Sequence, residues 1–310
     1  MGTNLIMFPV EYVFPYVNPD REKWQKAYKY CKGMEYDNDV RFRDFSFLKY
    51  VFRSIEIYAP WINRVRIIVS DMDQLPEWLN PKAIKLAITL HKDFIPSEYL
   101  PTFNSNTIEM FTPNLPTTEH FLYSNDDLLF LNPTTVEDFF TLDGEQIKLA
   151  YRESAFRDLQ YSTFSNICLR SWELVFNERK IVDGDTIYGK QFHGVAAPRL
   201  LSDCKKCFED HKDDILDSLT MFRNFEYNYN QYIYGYESIL LNHCTPQTSS
   251  DIGLYLSLDT LPATGISRML KTSNNKMVCI NDTSKMKKRD WDEIQIALEE
   301  KFPNKSSFEL

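Results

Sequence analysis

No run of apolar residues in this 310-residue chain approaches the ~20 that a membrane-spanning helix needs. Met1 to Val10 has neither a basic start nor a long apolar stretch, so no secretory signal is expected and the chain reads as a cytoplasmic protein. Cysteine is sparse, with six residues and no spacing that suggests a disulfide framework. Cys204 and Cys207 form a lone CxxC. Zinc would need further ligands, and only His211 lies close in sequence, so an ordinary surface helix with reduced thiols is expected. Excess positive charge is also missing. The formal net charge is −9, which removes the broad electrostatic case for nucleic-acid binding. Lys285, Lys287, Lys288 and Arg289 make one local basic cluster that is a candidate for phosphate. Internal repeats and low-complexity tracts are absent.

What remains is ordinary globular composition, 43% hydrophobic and 25% charged, in a length that suits one large or two modest domains. Aromatic residues are abundant at 15%, which suits aromatic-lined clefts as well as a large core.

The chain is organised around Phe121 to Phe130, FLYSNDDLLF. A short apolar run breaks at Asn125-Asp126-Asp127 and resumes, which reads as a buried strand and its end. Two adjacent carboxylates there are costly without a positive partner. An Asx turn accounts for them, and so does a metal- or diphosphate-facing site, because ligands of open α/β sheets bind at the carboxyl ends of strands. Met277 to Ile280, stopping at Asn281-Asp282, repeats the pattern.

Around this core, Pro9 to Val17 predicts a strand followed by a turn at Asn18-Pro19-Asp20. Its one charge, Glu11, is either solvent-facing or a carboxylate near the strand's active end. Glu22 to Lys32 predicts a helix. A second helix opens at Asp44 as N-cap, with Phe45, Leu48, Phe52, Ile55 and Ala59 on the inner face and Lys49, Arg53 and Glu56 outside. Strands follow at Arg64 to Ser70, Ala83 to Leu90 and Phe121 to Asn125, which is the rhythm of a mainly parallel α/β sheet. The long loop His91 to Phe111 is of a functional type. Within it Asn104-Ser105 caps a short helix bearing Glu109, ordinarily an exposed residue. Further on, a strand is expected at Ile147 to Tyr151 and a helix at Phe164 to Val175. A linker with Asp183-Gly184-Asp185 leads to Gln191-Phe192-His193-Gly194. Met221 to Tyr236 reads as an aromatic-rich helix containing Arg223. Residues 164–245 are read as a mostly helical cap on a core formed by 1–163 and 246–310, in a single catalytic domain. Asp290 caps a final helix with Trp291, Ile294 and Leu298 on one face.

These residues resemble the four motif blocks of the Stealth family of sugar-phosphate transferases. The blocks are PVEYVFPYVN (Pro9 to Asn18); RFRDFSFLKYVFRSIEIYAPWI (Arg41 to Ile62) with LPEWLN, HKDFIPSEYLPTFNSNTIE and FLYSNDDLLF; FHGVAAPR (Phe192 to Arg199); and VCIND (Val278 to Asp282) on to the terminal FPNKSSFEL. The resemblance spans nearly the whole chain. It implies a Rossmann-like nucleotide-sugar transferase core and transfer of a sugar 1-phosphate, commonly from a UDP-sugar, to a hydroxyl of a glycan, with release of the nucleoside monophosphate. It carries functional roles onto Glu11, Glu109, Asp126, Asp127, His193, Arg223 and Asp282. On this reading Asp126, Asp127 and Asp282 hold Mg²⁺ (or Mn²⁺). Glu11, Asn104, Ser105 and Arg223 bind the donor. His193 or Asp127 takes the acceptor's proton, with Glu109 as the other candidate base. The implied setting is surface polysaccharide synthesis in the cytoplasm, with peripheral docking on the inner face of the plasma membrane. Glu11 and Tyr16 stand where the family has Asp and Trp. Asp44-Phe45-Ser46-Phe47-Leu48 replaces D-N-x-E-L, and His193-Gly194-Val195 replaces His-x-Pro. These departures bear on donor selectivity and acceptor identity. A conventional glycosyltransferase that releases UDP and a non-catalytic nucleotide-sugar binder are the other two readings.

Overall fold

The computed structural model describes residues 8–37, 39–43, 46–156, 163–178, 180–182, 185–248 and 252–310. Its strands are β1 (Val10–Pro15), β2 (Arg64–Val69), β3 (Leu86–Leu90), β4 (His120–Tyr123), β5 (Leu128–Phe130), β6 (Ile147–Phe156), β7 (Lys180–Val182), β8 (Asp185–Gln191), β9 (Ala197–Leu200), β10 (Cys244–Gln247), β11 (Gly253–Ser257) and β12 (Met277–Asn281). Its helices are α1 (Glu22–Lys32), α2 (Leu48–Tyr58), α3 (Ser105–Met110), α4 (Thr163–Phe176), α5 (Leu201–Asp210), α6 (Lys212–Asp217), α7 (Tyr232–Leu240), α8 (Ala263–Thr272) and α9 (Lys288–Lys301).

The central sheet has the order β3-β2-β1-β4-β9. Its first four strands are parallel, and β9 closes the edge antiparallel to β4. In β1 and β2, Val10, Tyr12, Val13, Phe14, Val65, Ile67, Ile68 and Val69 are all buried. Continuous apolar runs without alternation are what a sheet covered on both faces requires. The α/β class with a mostly parallel sheet is therefore as the sequence predicts. Among the described residues two smaller sheets accompany it, β10-β6-β8-β7 and β11-β12-β5.

Two strand registers create the site. Strand β4 ends at Tyr123, opposite Ala197 of antiparallel β9. The residues that precede Ala197, including His193, therefore continue past the carboxyl end of β4. Strand β5 pairs antiparallel with β12, Leu128 opposite Cys279. Asp127 precedes β5 and Asp282 follows β12, so both sit at the same end.

Several sequence expectations change here. Residues 164–245 are mixed rather than mostly helical: they carry β7, β8 and β9 beside α4 to α7, and β9 belongs to the central sheet. Helicity after Met221 begins only at Tyr232, so Arg223 lies on an irregular segment. Helix α2 starts at Leu48; the expected cap Asp44 lies outside the described residues, as do Asp183 and Gly184. Arg53 is not on the outer side. It is buried, donates to Glu309 at 2.8 and 2.9 Å and to the Phe302 carbonyl at 2.7 Å, and so ties the C-terminal segment to α2.

Glu11 is neither solvent-facing nor at the active end. It is 2% exposed and lies in the amino-terminal half of β1, roughly 13 Å from the strand's carboxyl end at ~3.3 Å per residue. Arg66 Nε donates to it at 2.8 Å and Thr117 Oγ1 at 3.0 Å. The expectation that Glu11 binds the donor is corrected to a buried structural ion pair. Glu11→Ala should lower unfolding free energy by about 3–5 kcal/mol, because Arg66 is left buried and unpaired. Urea denaturation measures this; unchanged stability with weakened donor binding would contradict the structural assignment.

Candidate active site

A cavity of about 340 Å³ opens at the carboxyl ends of the strands. Pro15 to Val17 after β1, Ser70 after β2, His91 after β3, Asn125 to Asp127 after β4, and Ile280 to Asp282 at β12 all line it. Arg41, Arg43, Ser105 and Arg223 face the same space, with Trp24, Phe42 and Phe103 in an aromatic wall. Of the residues singled out in the sequence, Asp126, Asp127, Asp282, Ser105 and Arg223 are thus brought together.

Burial sets the state of the acids. Asp127 Oδ2 accepts a weak bond from Cys279 Sγ at 3.3 Å, while its Oδ1 is buried with no hydrogen-bond partner. Loss of hydration pushes the Asp127 carboxyl up to about 6, with the charge of Asp282 adding to the shift. Asp282 is also raised, chiefly by burial, although Arg43 opposes this with a two-pronged contact at 2.8 and 2.8 Å. The donor types suit a hard divalent cation: three carboxylates line one cavity, and the buried Asp127 Oδ1 has no hydrogen-bond partner. Asp126 and Asp127 follow β4 side by side and would supply the first ligands. Asp282 is held by Arg43, and would have to exchange this partner to join them.

Arg223 is placed by its surroundings rather than by a helix. Phe222 stacks on Phe103 with centroids 5.2 Å apart, and Phe103 N–H donates to the Met221 carbonyl at 2.8 Å. The guanidinium donates to Ser105 Oγ. Asn104 caps α3 as the sequence predicts, accepting from Asn106 N–H at 3.1 Å, but its amide also bonds Thr220 and Asn228 and is fully buried. Asn104 is therefore corrected from donor ligand to the pin between the α3 loop and the Arg223 segment. Glu109 is corrected as well. It is buried behind the cavity wall and accepts from the Gln231 N–H at 2.9 Å and Asn106 Nδ2 at 3.2 Å, at the amino end of α7. Burial raises its carboxyl against these bonds. It holds the scaffold and does not face the cavity.

His193 lies past the tip of β4 and is not among the residues that line the cavity. Its Nε2 lies 2.8 Å from the Tyr232 hydroxyl, and its ring packs on Phe164 at 4.8 Å. Burial lowers its imidazole to about 4, helped by the charges of Lys190 and Arg223. It is thus neutral at neutral pH. Gly194 is required for this placement: a Cβ there would lie 2.4 Å from the Leu254 carbonyl oxygen of β11. Sequence reasoning missed Arg41, Arg43 and His91 as lining residues, although R-F-R is an alternating basic pair in a polar loop and His91 directly follows a strand. The basic cluster after Asp282 does not face the cavity. Lys285 pairs with Asp259 at 2.9 Å and Lys288 with Asp292 at 2.9 Å.

A mainly parallel α/β sheet with acidic strand tips facing arginines across a cleft defines a ligand-binding site of the sheet-edge class. Residues 41–148 match the family model described as Stealth protein CR2, conserved region 2. The exopolysaccharide phosphotransferase cps2G of Lactiplantibacillus plantarum is 36% identical over 166 residues, 52% of this chain and 49% of that protein. The capsular polysaccharide phosphotransferase WcwK of Streptococcus pneumoniae is 28% identical over 97% of this chain and 98% of its own length. The aligned part thus spans about half of cps2G and nearly all of WcwK. Among solved structures, the inositol-1-phosphate CTP transferase from T. maritima superposes with a TM-score of 0.41 at 12% identity, covering 94% of this chain and 96% of that one. The chain is thus similar to Stealth proteins in conserved region 2 and to a capsular polysaccharide phosphotransferase over nearly its whole length. Among the described residues no helix is long and apolar enough to cross a membrane.

The raised Asp127 carboxyl has a signed consequence. Its folded-state value, about 6, exceeds the ordinary 3.8, so the folded state disfavours ionisation. This costs nothing below pH ~4, and the cost grows to roughly 2–3 kcal/mol as pH rises through 6. Asp127→Asn should therefore stabilise the metal-free protein at pH 7.5 but not at pH 4. Thermal melts across that range check this; an equal effect at both values would mean that Asp127 is not held in a desolvated site.

Proposed function

We propose that the protein transfers a sugar 1-phosphate from a nucleotide sugar, a UDP-hexose or UDP-N-acetylhexosamine, to a glycan hydroxyl in surface polysaccharide synthesis. The observation that carries this reading is the meeting of Asp126, Asp127 and Asp282 with Arg41, Arg43 and Arg223 around one cavity. Such a set balances a diphosphate: arginine forks on its oxygens, carboxylates for a cation. The names of the relatives support the same chemistry.

In the proposed reaction the acceptor oxygen forms a bond to the sugar-bearing phosphorus. The bond between that phosphorus and the bridging oxygen breaks, and its electron pair leaves on the nucleoside monophosphate. Arg223 and Ser105 orient the diphosphate, and the aromatic wall of Trp24, Phe42 and Phe103 borders the nucleoside. Mg²⁺ or Mn²⁺, when held by Asp126 and Asp127, supplies charge neutralisation on the phosphate oxygens. The acceptor's proton goes to His193. His91 is less suitable because β3 lies three strands from β4, about 14 Å at ~4.8 Å per strand. In the His193 tautomer with its proton on Nε2, the Tyr232 hydroxyl 2.8 Å away accepts that hydrogen bond and Nδ1 is the proton acceptor of the proposed step. The same reading assigns the enzyme to the cytoplasm, at the inner face of the membrane, where glycan acceptor and donor meet.

Incubation with a panel of UDP-sugars, Mg²⁺ and glycan acceptors should accumulate UMP. Accumulation of UDP instead would mean attack at the anomeric carbon and would overturn the reading. His193→Ala should lower kcat by about 10²–10⁴-fold while leaving donor KM nearly unchanged. Arg223→Ala should lower kcat/KM by about 10²–10³-fold. Full activity in His193→Ala would remove the base assignment.

A further inference from the structure

A second polar cluster lies away from the cavity, where α5 meets α7. Cys207 on the last turn of α5, His211 directly after that helix, and Glu237 on α7 offer one sulfur, one nitrogen and one oxygen, all within 4.8 Å of one another. The CxxC was expected on a surface helix. It lies on one, and its thiols are free, but both Cys204 and Cys207 lie on the inner face and are fully buried. Glu237 lies 30 residues from Cys207 in the chain, so no sequence spacing reveals their proximity.

The carboxylate is the anomaly. Glu237 is 1% exposed, and its Oε2 is buried with no hydrogen-bond partner. An unpaired buried carboxylate is expensive, and no cation among the described residues forms an ion pair with it. Lys206, whose charge reaches Glu237, pairs instead with Asp210 at 2.6 Å. Asp203 is occupied by Ser238 at 2.7 Å and His243 at 2.9 Å. Cys207 Sγ has only a weak contact to the Ile233 carbonyl at 3.7 Å. The surroundings are thus acidic, with Asp203 and Asp210 near Glu237, and they favour a positive charge between the helices.

We propose that Cys207, His211 and Glu237 form a Zn²⁺ site that pins α5 to α7. Thiolate, imidazole and carboxylate are the ligands zinc takes, at about 2.0–2.3 Å. Ligands at such distances lie roughly 3.5 Å apart, so atoms already within 4.8 Å of one another need only a small closure. Half-exposed His211 leaves room for water as the fourth ligand. Binding would satisfy Glu237 Oε2 and convert the Cys207 thiol to thiolate. The site's role is structural: α7 presents Tyr232 to His193, and its amino end holds Glu109.

The test uses the full chain, stripped by chelator under reducing conditions and titrated with Co²⁺ as a spectroscopic substitute. One equivalent should bind with a thiolate-to-cobalt charge-transfer band, and Zn²⁺ should displace it. Cys207→Ser should abolish the band, and Cys31→Ser should leave it. His211→Gln, at a half-exposed position that does not threaten folding, and Glu237→Gln should each weaken Co²⁺ affinity by at least roughly tenfold. No charge-transfer band, or a band that survives Cys207→Ser, overturns the proposal, as does unchanged affinity in both His211→Gln and Glu237→Gln. None of these readouts depends on transferase activity.

Discussion

Desolvation of carboxylates at one edge of a buried sheet is the constraint on which the site depends. Asp127 and Asp282 arrive there on different strands, and neither is comfortable as an anion: burial raises both. Arg43 partly relieves Asp282, and nothing relieves Asp127 Oδ1. A folded protein tolerates such an arrangement when a ligand or cation compensates for it, and perturbed acids in a cleft are a physical marker of a functional site. The cost is local and modest, and the surrounding apolar sheet carries it.

The rest of the structure fixes geometry around that edge. The antiparallel β4–β9 register sends His193 past the acidic tip, and the close approach of Gly194 to β11 holds it there. Glu109 anchors the amino end of α7, whose Tyr232 steadies the imidazole. Asn104 joins the α3 loop to the segment bearing Arg223. These buried polar residues face no substrate. Their work is to fix the segments that carry Arg223 and His193, which is how supporting groups contribute by positioning.

The parallel sheet was legible because its strands are unbroken apolar runs, and Asn125-Asp126-Asp127 and Asn281-Asp282 were legible because turn formers end those runs. Glu11, Glu109 and Asn104 were misjudged for a shared reason. A polar residue in a motif-like stretch looks the same whether it touches substrate or satisfies a buried neighbour, and only Arg66, Gln231 and Thr220 distinguish the two cases. Those partners lie 55, 122 and 116 residues away. The helix expected at Arg223 failed because aromatic residues at mixed spacing satisfy both a helix and the Phe103–Phe222 stack that forms. The CxxC looked incomplete because its third partner arrives through helix packing.

The central claim is that acids and arginines at this edge serve one diphosphate together with one divalent cation. Calorimetric titration with UDP, with and without Mg²⁺, tests it most directly. If both ligands share the cavity, Mg²⁺ should tighten UDP binding and UDP should tighten Mg²⁺ binding by the same factor, on the order of 5–150-fold. UDP affinity that is indifferent to Mg²⁺ would contradict the account.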